Sequence, residues 1–378
     1  MYFLSFQDPT AHKLPFCKRF PKTIQPRIVH RALLHAIQKH EMLRTIFLEA
    51  NGDPRQMVVS MTEAYVPLCI EFSEDLRKSI AERMECPMQL HGRPLVEAIM
   101  YETQDCFLAM LGLQHIISDA WSTGILEKEI VNFILDLEKG KVPNTQRQKY
   151  TYLTYCKEKM AKKDISEVYI RKLADVQTIE MRDPGGVVSV FWFDFPKRIA
   201  SEWETGHRVS LFVILLSLLS ESVMEQFKLS KINIGCPTAN RSVKTKSVFG
   251  YFLNNIVIHI WRPRSGENLF RMVEKHIKDV LEQNIPFTEL AAQFQKLNET
   301  PQPIFQVYFN CRYDLEYNVN ESDDLNTLLP IRSEFPIEVD LDKRSTGFRI
   351  TLRIQDCIPT VAGKELMDRL HKKILSTE

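Results

Sequence analysis

Apolar positions along this chain alternate between helical and strand-like spacing from end to end. Ile28, Val29, Ala32, Leu33, Ala36 and Ile37 recur on one helical face, with Pro26 at an early position that a helix tolerates. Leu43 to Phe47 then reads as a strand, Val66 to Phe72 as β-prone, and Asp75 to Met84 as a helix. Pro94 to Met100 and Cys106 to Leu113 form an expected strand pair joined at Glu102-Thr103-Gln104-Asp105. The second of these is apolar on both faces, the mark of a central strand, and it leads straight into Gln114-His115. A helix from about Asp119 to Leu137 follows and closes at Lys139-Gly140.

Past that helix, Gly140 to Gln148 is polar and reads as a linker, and Tyr150 to Ala174 reads as one long charged helix. The turn Asp183-Pro184-Gly185-Gly186 precedes a strand over Val187 to Phe195. Ser210 to Phe227 is a buried helix, and Lys231 to Gly235 and Asn255 to Trp261 are strands. Helices over Glu267 to Gln283 and Pro286 to Leu297 come next. Strands at Ile304 to Cys311, Ile337 to Leu341 and Phe348 to Ile354 follow, then a closing helix near Val361 to Leu375. No short repeat is present. The pattern predicts two α/β halves of similar make-up, divided between Lys139 and Gly186.

Composition narrows the class. At 378 residues, with 44% hydrophobic and 26% charged side chains, the chain suits one large two-lobed enzyme or two to three compact units. Its 49 basic and 48 acidic side chains nearly cancel. No dense basic block is present to track a phosphate backbone, which argues against nucleic acid as partner. Eight cysteines without a short Cys-x-x-Cys pair argue for reduced thiols in a cytoplasmic setting rather than a disulfide scaffold or a zinc site. No signal-peptide pattern opens the chain, and the apolar run Leu211 to Leu219 is too short to span a bilayer.

The chemistry concentrates in Gln114-His115-Ile116-Ile117-Ser118-Asp119-Ala120-Trp121-Ser122. A loop at a strand end can present an imidazole to a cleft while the scaffold beneath stays rigid. Asp119 falls where a helix begins, placed to cap free N–H groups or to pair with a cation. Taken alone, His-x-x-x-Asp reads as a core histidine followed by a helix cap more readily than as a reactive site. His35, His40, His259 and His276 read as structural or solvated, and Lys157 to Lys163 as a solvated helix face.

The neighbouring residues add a resemblance. Gln114 to Ser122 resembles the His-His-x-x-x-Asp-Gly signature of the condensation domains of non-ribosomal peptide synthetases. Met1 to Leu4 looks like the later half of that family's first motif. Lys39 to Phe47 is similar to its Arg-His-Glu-x-Leu-Arg-Thr-x-Phe, and Tyr152 to Tyr155 to its Tyr-x-Asp-Tyr. Ile234 to Arg241 resembles Ile-Gly-x-Pro-x-Ala-x-Arg, Phe249 to Asn255 matches Gly-Phe-Phe-x-Asn, and Pro286-Phe287 resembles Pro-Phe-Glu. Pro303 to Asn310 is similar to Pro-Leu-Phe-Gln-Val-Met-Phe, and the segments come in the family's order over nearly the whole chain.

The resemblance implies an α/β fold of two chloramphenicol-acetyltransferase-like lobes in a V with a tunnel between them. The lobes would be residues 1–160, carrying the His-x-x-x-Asp loop, and 161–378. It implies formation of an amide between a donor thioester and an aminoacyl acceptor, both held on phosphopantetheine arms of peptidyl or acyl carrier domains, with adenylation domains as further partners. No cofactor or metal of the chain's own is implied. His115 takes the catalytic place, with Asp119, Arg241 and Gln114 structural around it and Trp121, Ser122 and Asn254 beside the substrate path. Arg241, reaching from the other lobe, is the expected partner of Asp119, and Arg44 the alternative. Breaking such a buried pair costs about 3–5 kcal/mol.

The sequence also departs from the family. Gln114 replaces the first histidine with an amide that cannot titrate. Ala120 replaces the glycine after Asp119, which is favourable if the position is helical and costly if it needs positive φ. Glu282-Gln283-Asn284 and Leu297 to Thr300 do not match their counterparts, and Met1 falls inside the first motif, so a shortened N-terminus is expected. An acyl-CoA-dependent transferase of the same superfamily and a catalytically silent carrier-binding relative are the alternatives.

Overall fold

The computed structural model of the protein describes residues 13–146, 148–158, 165–183, 185–297, 302–312 and 333–376. Met1 to Leu4 and Asn298 to Thr300 lie outside them. The described residues form two units, the first drawn from Met1–Ala161 with Ala239–Leu253, the second from Lys162–Thr238, Asn254–Glu316 and Ile331–Glu378. Segment 239–253 therefore folds with the first unit although it lies in the second half of the sequence.

In the first unit a four-stranded sheet runs β1 (Lys13–Pro21), β6 (Cys106–Gln114), β5 (Val96–Glu102), β4 (Leu68–Phe72). β6 is antiparallel to both neighbours, with Gln114 opposite Lys13 and Leu113 opposite Val96; β4 and β5 are parallel. β6 is apolar on both faces because both are covered. Leu111 and Leu113 join Ala36 and Ile37 of α1 (Pro26–Lys39) and Leu126 and Ile130 of α3 (Ala120–Glu138). Leu108 and Met110 meet Ile80 and Met84 of α2 (Leu76–Glu85) on the other side. Each fully buried aliphatic side chain contributes about 1.5–3 kcal/mol to this core.

Three elements were not expected from the pattern. β1 contains Pro15 and Pro21, which an edge strand accommodates. The second is β3 (Asp53–Val58), which pairs with the expected strand β2 (Thr45–Ala50) in a hairpin whose turn residues Asn51 and Gly52 both have positive φ, 57° and 80°. The third is α6 (Lys197–His207), with Ile199, Ala200 and Trp203 buried. Two expectations are corrected. Leu43 lies in a 3-10 turn, Glu41–Arg44, ahead of the strand. The long helix from Tyr150 is replaced, among the described residues, by α4 (Tyr152–Glu158) and α5 (Glu167–Ala174), the second starting afresh from a non-helical Ser166.

The second unit is built on a six-stranded sheet: β7 (Val188–Pro196), β12 (Gly347–Gln355), β11 (Ile337–Lys343), β10 (Val307–Cys311), β8 (Lys231–Thr238), β9 (Asn254–Trp261). The central pairs β11–β10 and β10–β8 are parallel and the rest antiparallel. One face packs on α6, α7 (Leu211–Gln226), α8 (Leu269–Gln283) and α10 (Thr360–Leu375). Val257, Phe305 and Tyr308 form a separate cluster with α5 and α9 (Phe287–Leu297). Among the described residues no single helix is long and apolar enough to cross a membrane, and the eight cysteines are free thiols.

Two histidines read as structural or solvated are buried and paired. His40 Nε2 lies 2.5 Å from Glu129 Oε2, beside Lys39 Nζ at 2.7 Å from Oε1. Burial raises the Glu129 pKa, but His40 and Lys39 outweigh it and hold the carboxyl below its ordinary range. In the second unit His259 Nδ1 bonds Asn233 Oδ1 at 2.8 Å. Burial first, then Lys172, His276 and Lys231, press its pKa down to about 4.

Candidate active site

The loop begins where β6 runs out of strand partners. Gln114 is fully buried, and its side-chain oxygen accepts the N–H of His115 at 2.7 Å, capping the 3-10 turn His115–Ile117. Ile117 is buried in the core of the first unit and anchors that turn. His115 itself is half-buried. Its Nδ1 lies 2.8 Å from the carbonyl oxygen of Ser118. A carbonyl only accepts, so Nδ1 carries the proton and the neutral ring keeps its lone pair on Nε2. Geometry thus selects the tautomer in which Nε2 can accept a proton. Gln114 Nε2 is buried with no hydrogen-bond partner among the described residues, a cost of about 1–3 kcal/mol.

Asp119 closes the loop and opens α3. Its Oδ1 accepts the N–H of Ser122 at 2.8 Å, the N-cap bond that the sequence implies. Its Oδ2 accepts the N–H of Phe252 at 2.9 Å. Arg241 Nη2 donates to both oxygens, at 2.9 and 3.1 Å, and both side chains are 3% exposed. The carboxylate is therefore fully engaged by two backbone amides and one guanidinium, none of them a reacting group. Arg241 comes from segment 239–253 and so from the same unit as Asp119, rather than from another lobe. Its Nη1 donates to the carbonyls of Thr245 and Val248, and Phe252 lies under its guanidinium at 4.2 Å. Burial lowers the Arg241 pKa and Asp119 raises it; the group remains cationic.

The other candidates fall in different places. Ser122, expected beside the substrate path, is fully buried; its hydroxyl donates to Gly250 O at 2.6 Å and accepts from Arg241 Nη2 at 2.6 Å and Gly250 N at 3.0 Å. Trp121 donates its indole N–H to Lys246 O at 2.8 Å and stands 5.9 Å from the Arg241 guanidinium. Asn254 belongs to the second unit, where its amide donates to Ile285 O and accepts from Phe287 N, both at 2.9 Å, holding the start of α9. Arg44 donates to Val59 O at 2.8 Å and so tethers β3 instead of pairing with Asp119. Ala120 is the first residue of α3 and exposed, so the methyl group meets no steric penalty.

Sequence reasoning passed over the residues that surround the pair. Tyr152 donates its hydroxyl to Tyr251 O at 2.7 Å, and burial pushes its phenol well above the ordinary range. Gly250 lies so close to that ring that a Cβ would overlap it. Tyr155 accepts from Asn240 at 3.1 Å, and the Tyr251 ring meets His115 edge-on, centroids 5.3 Å apart at 78°. The signal was present in part, because Tyr152, Tyr155, Gly250, Tyr251 and Phe252 all fall inside segments that resemble the family's motifs.

Comparison with known proteins agrees with this geometry. Residues 1–168 match the family model for the condensation domain. Malpinin synthetase of Mortierella alpina is 24% identical over 376 residues, an alignment that covers 92% of this chain and 5% of that protein. The chain therefore spans a small fraction of that relative's length. Among solved structures, the epimerization domain from the third module of tyrocidine synthetase B superposes with a TM-score of 0.79 at 13% identity, covering 99% of this chain and 94% of that one. The first condensation domain of the calcium-dependent antibiotic synthetase, solved with a substrate analogue, gives 0.71 at 14% identity, covering 99% and 93%. Over residues 1–168 the chain is similar to the condensation-domain family, and it shares the chloramphenicol-acetyltransferase-like fold of these solved structures.

Proposed function

We propose that this chain forms an amide bond between a carrier-bound acyl or aminoacyl thioester and a carrier-bound aminoacyl acceptor, with His115 as its catalytic residue. The observation that carries this reading is the selected imidazole tautomer. Ser118 O lies 2.8 Å from Nδ1, which selects the tautomer with the proton on Nδ1 and the lone pair on Nε2. The acceptor amine attacks the donor thioester carbon, the C–N bond forms, the C–S bond breaks, and the donor carrier's thiol leaves with a proton. Nε2 takes the amine proton, or orients the amine so that the attacking lone pair points at the carbonyl. Bringing two tethered reactants together supplies up to about 7–11 kcal/mol in favourable systems.

In this reading Asp119 and Arg241 brace the loop, and Gln114 shapes its backbone without titrating. Phosphopantetheine enters only on the carriers, as part of the substrates. The buried Nε2 of Gln114, without a hydrogen-bond partner among the described residues, favours a second reading, a catalytically silent relative that still binds carriers. The experiment offers the purified protein the same acyl group on a carrier domain and on coenzyme A, with an aminoacyl carrier as acceptor. Amide product from the carrier thioester supports the proposal. Product formed at least as fast from coenzyme A points to the acyl-CoA-dependent alternative, and carrier binding without product to the silent one.

A further inference from the structure

The Asp119–Arg241 pair lies one step removed from the imidazole, and the residues between them show how it reaches His115. Three consecutive residues of segment 239–253 are tied to the pair and its neighbours. Gly250 bonds the Ser122 hydroxyl through both its N–H (3.0 Å) and its carbonyl (2.6 Å), and that carbonyl lies 3.3 Å from Arg241 Nη2. Tyr251 O accepts the Tyr152 hydroxyl at 2.7 Å. Phe252 donates its N–H to Asp119 Oδ2 at 2.9 Å and lies under the guanidinium. The middle residue of this stapled run is the one whose ring meets the imidazole, edge-on at 5.3 Å.

The contacts on His115 are complementary. Gln114 Oε1 at the backbone N–H and Ser118 O at Nδ1 set where the ring begins and which nitrogen is protonated. Neither fixes the tilt of the ring about the Nδ1–O axis. An aromatic edge packed against the imidazole does, and an edge-to-face pair contributes about 0.5–1.5 kcal/mol beyond its buried area. We infer that Tyr251 is a positioning residue for the His115 imidazole, and that Gly250-Tyr251-Phe252 passes the order of the Asp119–Arg241 pair on to that ring. The inference rests on the proposed role of His115 but concerns the conformation of the imidazole, which can be read without turnover.

The test uses the full chain with isotope-labelled histidine, as wild type, Tyr251→Phe and Tyr251→Leu. In the wild type, a nuclear Overhauser contact is expected between the His115 and Tyr251 rings; its absence overturns the inference with no variant needed. In Tyr251→Leu, the ring proton and nitrogen shifts of His115 should move away from their wild-type values as the ring loses its fixed tilt, with Nδ1 still protonated against Ser118 O. Its titration midpoint should shift, and kcat should fall by about 10- to 100-fold, the scale of a misplaced catalytic group, with KM little changed. Tyr251→Phe keeps the edge and should restore the nitrogen shifts and kcat. Unaltered His115 resonances in the leucine variant, or a phenylalanine variant as impaired as the leucine one, overturns the inference. If no variant or wild type turns over, the nuclear magnetic resonance results still decide it, and the missing turnover counts against the proposed reaction alone.

Discussion

Replacing Arg241 with alanine removes the only cation that contacts Asp119 among the described residues, at a point where both side chains are 3% exposed. The loss is larger than that of a surface ion pair, because the carboxylate stays behind in a buried site. Breaking a buried pair in this way costs about 3–5 kcal/mol. Asp119 keeps two backbone N–H donors, from Ser122 and Phe252, which places the expected loss near the lower end, about 3 kcal/mol. Loss of the bonds from Nη1 to Thr245 O and Val248 O loosens the same loop. The effect should be local, and the chain carries a reporter for it. Of its four tryptophans, Trp121 alone lies in the first unit, bonded to Lys246 O and 5.9 Å from the guanidinium.

Incorporating fluorotryptophan and following urea unfolding by fluorine resonance reads the two units separately, which two folding units require. The Trp121 transition of Arg241→Ala should move to lower urea by more than that of Trp203 in the second unit. A double-mutant cycle with Asp119→Ala should show a coupling of about 2–3 kcal/mol, since the second substitution removes the stranded charge. Additive effects, or equal shifts at Trp121 and Trp203, would refute the assignment of the pair as the brace of this loop.

Three further outcomes follow from other contacts. Gly250→Ala places a methyl group into the Tyr152 ring and should cost about 1–3 kcal/mol at the Trp121 transition, with Tyr152→Leu in the same chain recovering part of it. The neutral His259, held down to a pKa of about 4, binds its proton later than the unfolded chain does. Its contribution is therefore whole above about pH 6.5, shrinks as pH falls, and is gone below about 4. A depression of that size corresponds to roughly 3 kcal/mol. Urea midpoints read at Trp261, whose ring lies 5.6 Å from His259, should fall between pH 7 and pH 5 in the wild type and less in His259→Gln; parallel losses would remove His259 as the cause. Ala120→Gly should lower stability by no more than about 1 kcal/mol and leave transfer unchanged, because the position is an exposed first turn of α3.

The parts of the fold that sequence showed clearly were those that local spacing determines. α1, β6, α3 and α7 each carry their burial pattern in the order of their residues, and Asp119 announced itself as a cap by standing before α3. β3 is polar and short and gives no alternation, yet Asn51-Gly52 marks a two-residue hairpin turn that would have located it. Both prolines of β1 disguised a strand that only its edge position explains. In the site, the loop, the cap and Arg241 were legible. The membership of Arg241 in the first unit, the complete burial of Ser122 and the place of Tyr251 were not. All three depend on segment 239–253 returning to α3 across more than a hundred residues, as in the 122-residue separation of Arg241 and Asp119. No local propensity encodes such a return.

The most direct test of the proposed chemistry is a single-turnover experiment read by intact-protein mass spectrometry. Donor carrier, acceptor carrier and protein are mixed, and both carriers are weighed over time with wild type and His115→Ala. With the wild type, the acceptor carrier should gain the donor acyl mass as the donor carrier returns to its free thiol form. In His115→Ala that exchange should slow by about 10²- to 10⁴-fold, while the Trp121 unfolding transition moves by no more than about 1–3 kcal/mol, the worth of the lost Ser118 hydrogen bond and Tyr251 ring contact. Equal rates of exchange in the two proteins would contradict the assignment of His115 as the catalytic residue.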